Sequence, residues 1–213
     1  MPGRFITFEG GEGTGKSTLI EGMAGRLRAH GKEVVVTREP GGTPLAEALR
    51  VLALHPVNNE EWSPLGGALL MNAARSDHLD KLIRPALANG QWVLCDRFYD
   101  STRVYQSVRP GISTDNLRIL ERLVVQDTQP DLTLILDAPY ETTLTRRRSR
   151  VGDPEDVFER KPAEFHLAVR EAFLSIARSE PERCKVVNAA GTREAILETA
   201  WNILSDRVEI EKV

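Results

Sequence analysis

The sequence predicts an α/β domain: a mostly parallel five-stranded sheet with helices on both faces. Two observations carry this. Five short, β-rich apolar runs recur along the chain, and longer stretches with helical periodicity separate them. Strands joined through helices need right-handed crossovers, which build a parallel sheet covered on both sides.

The strand candidates are Phe5–Phe8, Val34–Val36, Trp92–Cys95, Leu132–Leu136 and Lys185–Val187. Each is brief and bounded by glycine, proline or charge, and each reads as a buried strand because nothing in it alternates with a solvated face. The first helix runs from Lys16 to His30, with Leu19, Met23 and Leu27 on one face and Gly31 as a left-handed stop. Further helical patterns cover Pro44–Leu54, Leu65–Ala88, Thr114–Val125, Glu141–Arg148, Ala163–Ala177 and Thr192–Asp206. Neither an internal repeat nor a low-complexity tract interrupts them. The stretch 146–162 breaks the pattern, being rich in charge and carrying Gly152, Pro154 and Pro162, and it reads as a mobile loop within one domain spanning 1–213.

At 213 residues and 41% hydrophobic content the chain can bury one real core. Its 28 Lys+Arg against 31 Asp+Glu leave a net charge of -3, which argues against long nucleic acid as a partner and makes any phosphate recognition local. Cys95 and Cys184 sit in apolar settings, far apart and away from histidine, as in a reduced interior. With no leader-like N-terminus and no run of about 18 apolar residues, the expectation is a soluble, cytoplasmic protein without a membrane span.

Gly10-Gly11-Glu12-Gly13-Thr14-Gly15-Lys16-Ser17 matches G-x-x-x-x-G-K-[ST] and lies between the first strand and the first helix. Glycines admit close backbone approach, so successive N–H groups face phosphate oxygens beside the positive helix end. That makes residues 10–18, through Thr18, the ATP site of a P-loop NTPase fold, with Lys16 on the β- and γ-phosphates and Ser17 on Mg²⁺. Asp96 closes the apolar strand Trp92–Cys95, where a carboxylate can reach the same Mg²⁺. A strand-terminal Asp alone would be weak, since turns favour that residue.

Arginines recur beside turns: Arg38, Arg50, Arg75, Arg97 and the cluster Arg146, Arg147, Arg148, Arg150. Transfer between two nucleotides crowds negative charge, and preorganised arginines offset the repulsion. The usual guanine reader Asn-Lys-x-Asp is missing from the sequence, which weakens a GTPase reading.

Phe8-Glu9-Gly10-Gly11-Glu12-Gly13-Thr14-Gly15-Lys16-Ser17-Thr18, Arg38-Glu39-Pro40-Gly41-Gly42-Thr43, Asp96-Arg97-Phe98 and Tyr105-Gln106 together resemble the successive signatures of bacterial thymidylate kinases. The resemblance is specific to about Gln106 and looser through Arg170 to the end. It implies transfer of the γ-phosphoryl of Mg²⁺-ATP to dTMP, and commonly a homodimer. By the same resemblance Glu12 meets the sugar 3'-hydroxyl, and Arg50 and Arg97 hold the acceptor phosphate, with Arg38 beside them. Arg75, Thr102 and Gln106 read the thymine edge, and Tyr105 flanks the sugar. A fork donor and an amide suit a pyrimidine's carbonyls and N3–H. On plain reading, Arg75 on a helix could equally serve a solvated face, and Thr102 and Gln106 could simply bond water.

Two positions depart from the family. Met71 stands where a stacking Phe is usual, four residues before Arg75, and Val157 stands where the family shows Arg in Asp-Arg-x-Glu. In members whose P-loop lacks arginine the lid supplies it, and Gly13 puts this chain in that group. The segment 146–161, with six basic and four acidic residues, would then be the lid, with Arg150, Arg148 or Arg160 as the catalytic cation. The expected catalytic set is Lys16, Arg97, Glu12, Arg150 and Arg148. Two other readings stay open: a kinase for another pyrimidine deoxynucleotide such as dUMP or a 5-modified dTMP, and a P-loop ATPase or binding module without an acceptor.

Overall fold

In the computed structural model, which describes residues 3–108, 111–149 and 156–208, five parallel strands form one sheet. They are β1 (Phe5–Glu9), β2 (Val34–Arg38), β3 (Trp92–Asp96), β4 (Leu132–Asp137) and β5 (Cys184–Asn188), in the spatial order β2-β3-β1-β4-β5. β1 is central, with Phe8 opposite Asp96 of β3 and opposite Leu134 of β4. The chain leaves β1 toward one side of the sheet and later returns to the other, so the crevice at the carboxyl end of β1 is the topological switch point where α/β sheets bind ligands.

The helices are α1 (Lys16–Ala29), α2 (Pro44–Leu54), α3 (Pro64–His78), α4 (Arg84–Ala88), α5 (Tyr99–Ser107), α6 (Thr114–Val125), α7 (Tyr140–Arg148), α8 (Ala163–Ser179) and α9 (Arg193–Ser205). Alternate strand residues feed opposite faces of the sheet. Ile6, Phe8, Trp92 and Leu94 pack with Leu19, Met23 and Leu27 of α1 and with Ile196, Ala200 and Leu204 of α9. Phe5, Val93 and Cys95 point the other way, onto Leu79, Ile83 and Phe98. Both cysteines are buried and unpaired.

Helix limits follow local chemistry. α1 ends where Gly31 takes φ 70, the expected left-handed stop. Thr43, Ser63, Ser113 and Thr192 cap α2, α3, α6 and α9 by accepting a backbone N–H from three residues on.

Several expectations need correcting. The edge strands β2 and β5 are only half covered, with Val36 and Val186 exposed, because an edge lacks neighbours on one side. The predicted single helix Leu65–Ala88 is α3 and α4 joined by one π-helical turn, Leu79–Ile83. Pro85 supplies no N–H and its ring crowds the carbonyl one turn back, and the widened turn accommodates it. α5 has no counterpart among the helical segments delimited from the sequence, since its nine residues bury Asp100, Thr102 and Gln106 beside Val104 and Tyr105, so its inward face is not marked by apolar residues alone. The helix expected over Glu141–Arg148 is present as α7, so the overlapping loop stretch begins only after Arg148.

Candidate active site

The P-loop joins β1 to α1 through three glycines at positive φ: Gly10 at 132°, Gly13 at 77° and Gly15 at 95°. A Cβ at Gly10 would stand 2.5 Å from the Leu136 carbonyl oxygen, and one at Gly13 would stand 2.6 Å from that of Thr143 in α7. The loop is therefore pressed between β4 and α7, and Gly13 leaves no room for a side chain there. Lys16 Nζ donates to the carbonyls of Gly10 (3.2 Å) and Gly11 (3.0 Å), which holds the ammonium over the cradle. Burial and Arg97 draw the Lys16 ammonium down from its ordinary range, while Asp96 and Glu12 favour its charge.

Ser17 Oγ donates to Asp96 Oδ2 across 3.2 Å, which brings together the two expected Mg²⁺ ligands. Asp96 Oδ1 is buried with no hydrogen-bond partner among the described residues, an orphaned acceptor of the kind a cation satisfies. The hydroxyl and carboxylate fit a Mg²⁺ ion that takes its other ligands from water and phosphate. Among the described residues no group of three or more His, Cys, Asp and Glu could hold a metal alone.

Beside the cradle, Arg97 follows β3 in the left-handed region at φ 68, a costly conformation for a residue with a Cβ. Its Nη2 donates to Glu12 Oε1 at 2.7 Å and its Nη1 to the Gly10 carbonyl at 3.1 Å. Glu12 Oε1 also accepts the Tyr105 hydroxyl at 2.9 Å, and the Arg97 guanidinium lies 5.1 Å from the Tyr105 ring centre. Burial raises the Glu12 carboxyl, but Arg97 and Lys16 overcome it and hold it at about 2. Burial likewise opposes the Arg97 charge, and Glu12 overcomes that too.

Next to this pair is a pocket lined by Arg75, Thr102, Gln106, Met71, Phe98 and Phe158 among others. Arg75 is buried, 3% exposed, so the solvated-face alternative does not hold for it. Its Nε donates to Glu39 Oε2 at 2.7 Å and its Nη2 to Thr102 Oγ1 at 2.9 Å. Glu39 is itself steadied by His78, whose ring bridges Glu39 Oε1 (3.1 Å) and Thr37 Oγ1 (2.7 Å). Gln106 Oε1 is buried without a partner among the described residues, so the pocket presents a fixed donor and an open acceptor side by side. Glu39 and His78 escaped the sequence reading as site residues. The Glu39 signal was available in the Arg-Glu-Pro-Gly-Gly-Thr run, whereas nothing around His78 marks it.

A cleft of about 1100 Å³ runs along Gly13–Thr18, Asp96 and Arg97 to Arg38 and Arg50. Arg50 Nη1 donates to the Pro40 carbonyl at 2.9 Å, and exposed Arg38 pairs with Glu47 at 3.0 Å.

A family model for thymidylate kinase matches residues 8–199 of this chain. The chain belongs to the thymidylate kinase family. It is 46% identical over 211 residues to the thymidylate kinase of Bradyrhizobium sp. (strain ORS 278), covering 97% of this chain and 91% of that protein. It is 47% identical over 209 residues to the thymidylate kinase of Rhodopseudomonas palustris (strain TIE-1), covering 98% and 91%. Its fold is similar to the crystal structure of thymidylate kinase from Ehrlichia chaffeensis, with a TM-score of 0.77, 32% identity and 96% and 100% coverage.

Against this thymidylate kinase scaffold the lid arginines separate. Arg146 Nη1 donates to the Thr14 carbonyl at 3.2 Å and lines the cleft. Arg147 turns to the Glu159 carbonyl (3.1 Å) and His166 Nε2 (2.9 Å). Arg148 is exposed, and Arg160 Nε donates to the Asp156 carbonyl at 3.2 Å. Arg150 lies outside the described residues. From Asp156 the chain runs beside the Arg75 pocket: the Val157 N–H donates to the Leu54 carbonyl at 3.2 Å, and the Phe158 ring meets Tyr105 edge-on at 5.0 Å. Arg193 and Leu197 of α9 also line the cleft and carried no motif.

Proposed function

We propose that this chain transfers the γ-phosphoryl group of ATP to dTMP, giving dTDP and ADP for thymidine nucleotide synthesis. The observation that carries the reading is the pairing of the buried Arg75 guanidinium with the unpartnered Gln106 Oε1, in a pocket that opens past Arg97 and Glu12 onto the P-loop. A thymine ring presents a carbonyl to the first and N3–H to the second. Arg97 and Arg50 hold the 5'-phosphate, Glu12 accepts from the 3'-hydroxyl, and Tyr105 closes over the sugar. In the transfer a 5'-phosphate oxygen bonds to the γ-phosphorus and the bond to the β–γ bridging oxygen breaks, leaving on ADP. Lys16 and a lid arginine balance the charge spread over the transferred group, and the pocket keeps that group from water. Ser17 and Asp96 would hold Mg²⁺, which would supply charge neutralisation at the phosphates.

The homodimer expected of the family finds a candidate surface in Leu45 and Leu52 of α2, Leu65 and Leu69 of α3 and Ile119 and Leu123 of α6, all exposed on packed neighbouring helices. No helix among the described residues is long and apolar enough to cross a membrane. Two free buried thiols suit a reducing compartment, and the cytoplasm is the proposed location.

An ADP-release assay over a panel of nucleoside monophosphates tests the activity. The expected result is acceptor-dependent turnover greatest with dTMP. Preference for dUMP or a 5-modified analogue favours the alternative pyrimidine kinase, and turnover independent of acceptor leaves only an ATPase.

A further inference from the structure

Glu9 ends β1 as a fully buried carboxylate, yet it touches no substrate group in the reading above. Its three donors all come from the chain that carries Arg97 past the end of β3. Oε1 accepts the Phe98 N–H at 2.8 Å and the Ser101 N–H at 3.3 Å. These are donors at the start of α5, a helix with no side-chain cap of its own, so Glu9 caps it from another strand. Oε2 accepts the Ser101 hydroxyl at 2.6 Å. A hydroxyl has a single proton, so giving it to Glu9 leaves only lone pairs for Arg97 Nη1, which donates to Ser101 Oγ at 3.0 Å. One carboxylate thus holds both the backbone turn at Arg97, which sits at φ 68, and one arm of its guanidinium.

We infer that Glu9, acting through the Ser101 hydroxyl, is a positioning residue for Arg97 and sets the affinity for the acceptor's 5'-phosphate. The inference rests on the reading of Arg97 as a ligand of that phosphate. Without the Glu9–Ser101 link the guanidinium keeps Glu12 on Nη2 and the Gly10 carbonyl on Nη1 but loses the second of the two contacts that orient Nη1. A ligand with a phosphate should feel this, and one without should not.

The test compares dTMP with thymidine, which differ only in the 5'-phosphate, by calorimetric titration of the full chain and its variants Ser101→Ala, Glu9→Gln and Arg97→Ala. Loss of one hydrogen bond to a charged group corresponds to roughly tenfold. The expected result is that Ser101→Ala and Glu9→Gln each weaken dTMP by about that factor and change thymidine by less than about twofold. In the Arg97→Ala background Ser101→Ala should have no further effect on dTMP. Equal losses for both ligands, or an unchanged dTMP affinity in Ser101→Ala while Arg97→Ala loses it, overturn the positioning role alone. If Arg97→Ala leaves dTMP binding intact, the Arg97–phosphate reading falls as well. Ser101→Ala keeps the capping carboxylate, so the comparison holds even where Glu9→Gln fails to fold.

Discussion

Arg97 and Glu12 are joined across 2.7 Å although they follow different strands, β3 and β1, and each holds the other charged in a largely desolvated place. Glu12 and Glu9, three residues apart, are shifted in opposite directions, Glu12 down by Arg97 and Glu9 up by burial.

Glu12 is held at about 2, below its ordinary 4.5, so it contributes stability above that ordinary value and loses it as pH falls toward 2. Glu9 is raised to about 7, by burial first and by Asp100 second. Its contribution is complete below 4.5 and is lost as pH rises through 7. Each shift corresponds to about 3 kcal/mol. Urea midpoints measured against pH should show Glu9→Gln removing the decline on the neutral side and Glu12→Gln removing the one on the acid side. Unaltered slopes in both variants refute this assignment.

Lys16→Ala should leave the fold and abolish transfer. Lys16 is buried in the cleft rather than on an open surface, but among the described residues its ammonium bonds only P-loop carbonyls and it joins no apolar cluster. The loss should reach about two to three decades in kcat. More than a tenth of the activity surviving in a folded variant would rule this site out.

Among the lid arginines, Arg150→Ala should lower kcat far more than KM, because its charge meets the γ-phosphoryl mainly in the transition state. Arg146→Ala should instead raise KM for ATP, since Arg146 already rests on the Thr14 carbonyl of the cradle. Exposed Arg148 should matter least of the three. Steady-state kinetics on the single variants, with Arg147→Ala and Arg160→Ala alongside, decide it. If none lowers kcat, the catalytic lid is wrong.

Met71→Phe should lower KM for dTMP several-fold and narrow the range of 5-substituted dUMP analogues accepted. Stacking on an aromatic is worth ~1 to 3 kcal/mol and a thioether contact ~0.3 to 1.5. Phe158 lines the same pocket from the lid side, so Phe158→Ala should do the reverse, and the pair should be non-additive. Measuring kcat/KM for dTMP, dUMP and a bulkier analogue on all four proteins checks this. Identical selectivity in every variant means both side chains are only packing.

Local chemistry was legible in the sequence. Five apolar runs became five strands, Gly31 stopped α1, and Gly10, Gly13 and Gly15 of the P-loop fell where the backbone needs positive φ, because each depends on a handful of consecutive residues. The Ser17–Asp96 pair was also readable, since each residue adjoins the end of a recognisable element. Residues brought together by chain crossings were not. The Glu9 cap on α5, the Thr37–His78–Glu39–Arg75 chain and the arrival of Phe158 at the acceptor pocket each join segments far apart in sequence. α5 was not legible either, because it has only nine residues and its buried face mixes Asp100, Thr102 and Gln106 with Val104 and Tyr105. Sequence alone determined the strands, the phosphate cradle and the family resemblance, all encoded by neighbours. Only tertiary structure decided which buried polar groups hold Arg75 and Arg97, because burial leaves a polar group to whichever distant partner the fold delivers.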